Sequence, residues 1–197
     1  MLEFLFRRLK PSRLASTMVF ATTEQPEDDA LVEIARRSGF SVFRGSRDDV
    51  VSRFVGAADR FDIEYVVRIT ADCPFVDAAT LDHCVARCLE AGEFDLATTK
   101  GAFPVGIDFE VYRAKTMKAL HDQGKLNALD REHLTKHIYD HPKDFNIIRL
   151  QPPGRWAGFG PYTVDTPEDY SFACGLADRF PNGDFSVPEL LALEGER

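Results

Sequence analysis

EYVVRITADCPFVDAATLDHCVARCLEAG, residues 64 to 92, sets the fold. Its first seven residues form a β-branched, apolar run, the strongest strand signal in the chain. ITADCP (69 to 74) then breaks it, with Pro74 stiffening the turn. From Asp77 the pattern becomes helical, opened by an N-capping aspartate and closed by Gly92. One strand feeding one helix through a short polar turn is half of a parallel β-α-β unit.

The same alternation runs outward in both directions. Towards the N-terminus, MLEFLFRRLK (1 to 10) carries an apolar helical stripe with basic residues near its end. MVFATT (18 to 23) reads as a buried strand and PEDDALVEIARRSG (26 to 39) as a helix with both end signals. FSVFRG (40 to 45) alternates as a strand, and DDVVSRFVGAADRF (48 to 61) returns to helical spacing. Towards the C-terminus, strands are expected at FDLATT (94 to 99), GIDFEVY (106 to 112), FNIIRL (145 to 150) and YTV (162 to 164). Helices are expected through DREHLTKHIYDH (130 to 141) and from Pro167. The expected architecture is one α/β domain over residues 1 to 197, with a mainly parallel mixed sheet between two helical layers.

Composition narrows the function. With 197 residues, 44% hydrophobic and 28% charged, the chain is long enough for one well-cored domain. A net charge of -8 disfavours general nucleic-acid binding, which needs clustered Lys and Arg. A small anionic substrate needs only a local basic pocket or a metal. No membrane span is expected. Four unpaired cysteines (Cys73, Cys84, Cys88, Cys174) and no apolar leader fit a cytoplasmic setting. Cys84 and Cys88 lie one turn apart beside His83, but half a ligand set does not make a zinc site, and buried small apolar cysteines are the simpler account. No G-x-G-x-x-G follows any predicted strand, which disfavours a dinucleotide-binding fold.

Polar residues just beyond strand ends are where open parallel sheets bind ligands. Asp72 follows EYVVRIT, and Asp165 stands in YTVDTPEDY (162 to 170) just before a helix. Two such aspartates suit a magnesium-nucleotide site. Each also has a plain structural reading, Asp165 as an N-cap before Pro167 and Asp72 as a turn cap. Asp108 and Glu110 alternate with apolar neighbours, which places both on one strand face. They are either solvated or turned to sugar hydroxyls. His133, His137 and His141 recur every four residues, but no glutamate follows His133 as a metalloprotease helix requires. Solvated surface accounts for His137 and His141, and Asp130 is read as a helix cap.

FATTEQPEDDALVEIARRSGFSVFRGSRDDVVSRF (20 to 54), VVRITADCPFVDAATLD (66 to 82), PVGIDFEVY (104 to 112), DREHLT (130 to 135) and TVDTPEDY (163 to 170) resemble, in order, the spore-coat polysaccharide cytidylyltransferase-like proteins. These are relatives of the acylneuraminate and Kdo cytidylyltransferases. The resemblance implies the nucleotide-diphospho-sugar transferase fold, and transfer of a cytidylyl group from CTP to a sugar or sugar acid with Mg²⁺. It implies that Asp72 and Asp165 hold the magnesium, that Arg44, Ser46 and Arg68 contact the nucleotide, and that Asp108, Glu110, Arg131 and His133 contact the sugar. It also implies a homodimer. Family members open with a strand and a basic phosphate-binding loop that nothing here supplies, so a central strand and its loop, roughly thirty residues, are expected to be absent. A non-catalytic binding or assembly module that has lost the triphosphate loop is the alternative.

Overall fold

The computed structural model describes residues 1–156, 159–180 and 184–195. Its first helix, α1 (Leu2–Leu9), buries Leu2, Leu5, Phe6 and Leu9, the stripe that the i, i+3, i+4 spacing expects. Strand β1 (Val19–Thr23) follows, then a short 3-10 turn at Pro26–Asp28 and helix α2 (Asp29–Arg37). Strand β2 (Ser41–Gly45) lies parallel to β1. Helix α3 (Val50–Arg60) is capped by Asp49, whose carboxylate accepts from the Ser52 amide at 2.8 Å.

Strand β3 (Tyr65–Arg68) leads into α4 (Ala78–Ala91), capped by Asp77 as expected and stopped at Gly92 with φ +80°. Then come β4 (Leu96–Thr98), β5 (Glu110–Arg113), α5 (Ala114–Asp122), α6 (Ala128–Glu132), α7 (Lys136–Asp140), β6 (Ile147–Arg149), α8 (Pro167–Ala177) and α9 (Val187–Gly195). Helices α5 and α9 were not anticipated by the patterning.

The strands form two sheets, β1-β2 and β3-β5-β4-β6. In the larger one β5 is antiparallel to both β3 and β4, while β4 and β6 are parallel. Three of its four strands therefore run one way. Side chains alternate across it: Ala97 and Val111 join a core with α1, α4, α8 and α9, whereas Leu96 and Tyr112 join one with α3 and α5. A third cluster, with Phe6 stacked on Phe40 at 4.0 Å, fixes α1 against the β1-β2 pair.

Between the sheets the layer is interrupted. A cavity of about 900 Å³ is walled by β1 and β3, with α1 and α4 on one face and α3 on the other.

Three expectations are corrected. Residues 162–164 form no strand; Tyr162 and Val164 donate instead to the carbonyls of Val105 and Asp72, tying loops together. The strand expected over 106–112 begins only at Glu110, because 104–108 folds into a turn with Gly106 at φ +86°. The single helix expected over 130–141 is two, broken at His133.

Candidate functional site

The loop after β3 and the loop before α8 meet. Val164 donates its N–H to the carbonyl of Asp72 at 2.9 Å, so Asp72 and Asp165 are brought to one place. The 104–108 turn abuts the same segment. A Cβ on Gly106 would fall 2.5 Å from Tyr162 and Thr163 backbone atoms, and glycine alone permits the approach. Asp108, whose carboxylate accepts from the Gly106 amide at 2.9 Å, closes the group. Burial pushes the Cys73 thiol up to about 12, helped by the negative fields of Asp72 and Asp108.

Asp165 is not the cap its position suggested. Thr166 caps α8, and Asp169 completes a reciprocal capping box, accepting from the Asp165 and Thr166 amides. Asp165 is exposed, and among the described residues nothing donates to its carboxylate.

A second cluster centres on Glu110, only 1% exposed. Its Oε1 accepts from Thr135 Oγ1 at 2.9 Å and the Tyr139 hydroxyl at 2.7 Å, and forms an ion pair with Lys100 Nζ at 2.9 Å. Arg68 approaches Oε2 at 3.7 Å. Glu110 therefore faces inward as an anchor for two cations, while Asp108 lies in the preceding turn, so the two do not share a strand face. Burial and the adjacent carboxylate hold the Tyr139 phenol protonated. Beside Lys100, a cavity of about 500 Å³ is lined by Arg149, Arg155 and Trp156.

Three other sequence-derived residues, Arg44, Ser46 and Arg131, bond within the protein. Arg44 donates to the carbonyls of Thr23 and Gln25 and pairs with Asp29 at 2.6 Å. Ser46 accepts from the Asp49 amide at 3.0 Å. Arg131 pairs with Asp49 at 2.6 Å. His133 is exposed at the end of α6. Asn127, not Asp130, caps α6, with Asp130 reciprocating. His137 is no solvated surface residue: its side chain is 14% exposed, and Nδ1 lies 3.4 Å from the buried Asp130. Cys84 and Cys88 are buried free thiols, as read.

Sequence reasoning missed Lys100, Thr135, Tyr139, Arg149 and Arg155. Lys100 stands just past β4, so the strand-end rule that singled out Asp72 would have found it. Tyr139 and Thr135 carry no comparable local signal.

Three loops thus bring Asp72, Asp108 and Asp165 together at one end of an α/β sheet. Residues 1–178 match the cytidylyltransferase family, and the chain belongs to it. It is 32% identical over 202 residues to the spore coat polysaccharide biosynthesis protein SpsF of Bacillus subtilis, across 98% of this chain and 82% of that one. A cytidylyltransferase structure from Leptospira borgpetersenii superposes with a TM-score of 0.91 at 30% identity, covering 99% of this chain and 82% of its own. A CMP:2-keto-3-deoxy-manno-octonic acid synthetase complexed with CTP shares the fold, at a TM-score of 0.64 and 12% identity over 91% of this chain and 88% of that one. Among the described residues, no helix is long and apolar enough to cross a membrane.

Proposed function

We propose that this chain transfers a cytidylyl group from CTP to a hydroxyl of a sugar or sugar acid, giving a CMP-sugar for surface polysaccharide or glycan synthesis. The observation that carries the reading is the Val164–Asp72 hydrogen bond, which gathers Asp72 and Asp165 at the sheet's loop end. Family membership supplies the nucleotide, and the SpsF likeness supplies the polysaccharide context.

The donor set fits Mg²⁺. Aspartate oxygens are hard ligands, and the carboxylate of Asp165 is free of protein donors among the described residues. Among the described residues no cluster of three or more His, Cys, Asp or Glu is assembled for a metal, so phosphate and water would complete the shell. When bound, magnesium supplies neutralisation of phosphate charge. In the transfer, an acceptor hydroxyl oxygen attacks the α-phosphorus in line and pyrophosphate leaves. Glu110 holds Lys100 and Arg68 in place, two cations that offset charge on the nucleotide. Arg149 and Arg155, around the neighbouring cavity, suit an acceptor bearing a carboxylate.

Isothermal titration of CTP with and without Mg²⁺, on the chain and on Asp72→Asn, tests the reading. Magnesium-dependent binding that Asp72→Asn abolishes supports it. A folded chain that binds no CTP leaves the assembly role as the better account.

A further inference from the structure

The side chain of Lys100 is 49% exposed, yet it is held at three points. A surface lysine normally swings on a flexible four-carbon stem. Here Nζ pairs with the buried Glu110 at 2.9 Å and lies 5.2 Å from the centre of the Tyr139 ring, within cation–π range. The Lys100 backbone amide donates to Thr98 Oγ1 at 3.2 Å.

Tyr139 closes these contacts into a ring. Its hydroxyl oxygen lies 2.7 Å from both Glu110 Oε1 and Thr98 Oγ1. A phenol has one proton to give and a carboxylate only accepts, so the phenol donates to Glu110 and accepts from the Thr98 hydroxyl. The bonds then run one way, from the Lys100 amide through Thr98 and Tyr139 to Glu110, and Glu110 returns to the Lys100 ammonium. Thr98 and Glu110 are each 1% exposed, so water does not compete for their bonds. Fastening α7 to the sheet needs only the bonds from Thr135 and Tyr139 to Glu110, and has no use for a half-exposed lysine. Lys100 instead borders the cavity of about 500 Å³ that Arg149 and Arg155 also line.

We propose that Tyr139 is a positioning residue for the nucleotide. Acting through Lys100, it fixes that ammonium beside the cavity, where it offsets phosphate charge. This rests on the function proposed above, which makes Lys100 one of two cations facing the nucleotide.

Tyr139→Phe keeps the ring over Lys100 and removes the hydroxyl. The first probe is CTP with Mg²⁺, followed by titration. Lys100→Met should weaken binding about tenfold, the scale of one lost bond to a charged group. Tyr139→Phe alone should weaken it at least threefold, and should add nothing in the Lys100→Met background. Additive losses overturn the proposal, because Tyr139 would then act on the fold and not through Lys100. The second probe needs no nucleotide: the chain carries ¹³C at its lysine ε-carbons, and the Lys100 signal is assigned by its loss in Lys100→Met. Its order parameter should be about twice that of other exposed lysines, and Tyr139→Phe should bring it down to theirs. Thr98→Val cuts the same ring from the sheet side and should free Lys100 equally, so the measurement stands should Tyr139→Phe not fold. A Lys100 as mobile as the other lysines in the unaltered chain, or one indifferent to both variants, overturns the proposal. An unaltered chain that binds no CTP but holds Lys100 rigid through Tyr139 overturns the nucleotide reading instead, and leaves the positioning of Lys100 established.

Discussion

Val164 and Asp72 are joined by a 2.9 Å backbone hydrogen bond across 92 positions of sequence, the difference between 164 and 72. Because it is main-chain to main-chain, side-chain changes at the two aspartates leave it intact. Asp72→Asn and Asp165→Asn should each lower cytidylyl transfer by about 10²–10³-fold, the scale of losing one electrostatic group from a reacting site. Thermal stability should hardly move. Steady-state rates beside melting curves check this, and equal loss of stability and rate would assign the aspartates to scaffolding.

Glu110 makes a different prediction because it is buried and multiply bonded. Glu110→Gln keeps the shape but removes the charge that holds Lys100 and Arg68, and turns an amide donor towards donors. Losing one member of such a network costs about 1–3 kcal/mol per unsatisfied group. Denaturant unfolding should show that loss. Lys100→Met, which removes an exposed-side cation but leaves Arg68 on Glu110, should lower transfer while changing stability by about 1 kcal/mol or less.

Asp77 joins the two ends of the chain. Its Oδ1 accepts from the Thr80 amide and its Oδ2 from the Val187 amide, both at 2.7 Å, while Arg8 lies 3.8 Å away. Arg8 in turn donates to the carbonyls of Phe185 and Phe75 and stacks over Phe185 at 4.1 Å. Burial brings the Arg8 guanidinium down to about 10, still charged at neutral pH. Asp77→Ala removes the α4 cap and leaves that charge uncompensated, a loss of about 3–5 kcal/mol. For a chain of this length, the melting temperature should fall by roughly 10 °C. Arg8→Met with Asp77→Ala should recover part of it, since the orphaned charge is then gone.

The layers and most element positions were readable because their signals are local. Asp77 and Gly92 bracket α4 as caps do, and the apolar stripe of α1 has helical spacing. Tyr162 to Val164 misled because apolar residues in a loop that packs against the core look like a strand; their hydrogen bonds go to loops instead. Asp165 was ambiguous because Asp, Thr and Asp at 165, 166 and 169 can all serve a helix start, and only geometry assigns Thr166 and Asp169 to that task. Glu110 gave the weakest signal of all. Alternation cannot tell a solvated carboxylate from a buried one whose partners, Thr135 and Tyr139, lie 25 and 29 positions away.

The thiols give a test of the loop cluster that needs no substrate. Cys73, Cys84 and Cys88 are buried and Cys174 is exposed. Burial raises the three, Cys73 and Cys84 to about 12 and Cys88 to about 11, because the thiolate is the form that loses solvation. The sign is unambiguous: a raised thiol stays neutral and unreactive until the pH approaches its own value. At pH 8 the thiolate fraction of Cys73 is on the order of 10⁻⁴. A disulfide reagent at that pH should modify Cys174 quickly in the native chain and all four cysteines in denaturant. Asp72→Asn removes one of the two negative fields on Cys73 and should bring its pKa down, while leaving Cys84 unchanged. Rapid modification of Cys73 in the unaltered chain would mean that the loop cluster opens to solvent, and that Asp72, Asp108 and Asp165 are not held together.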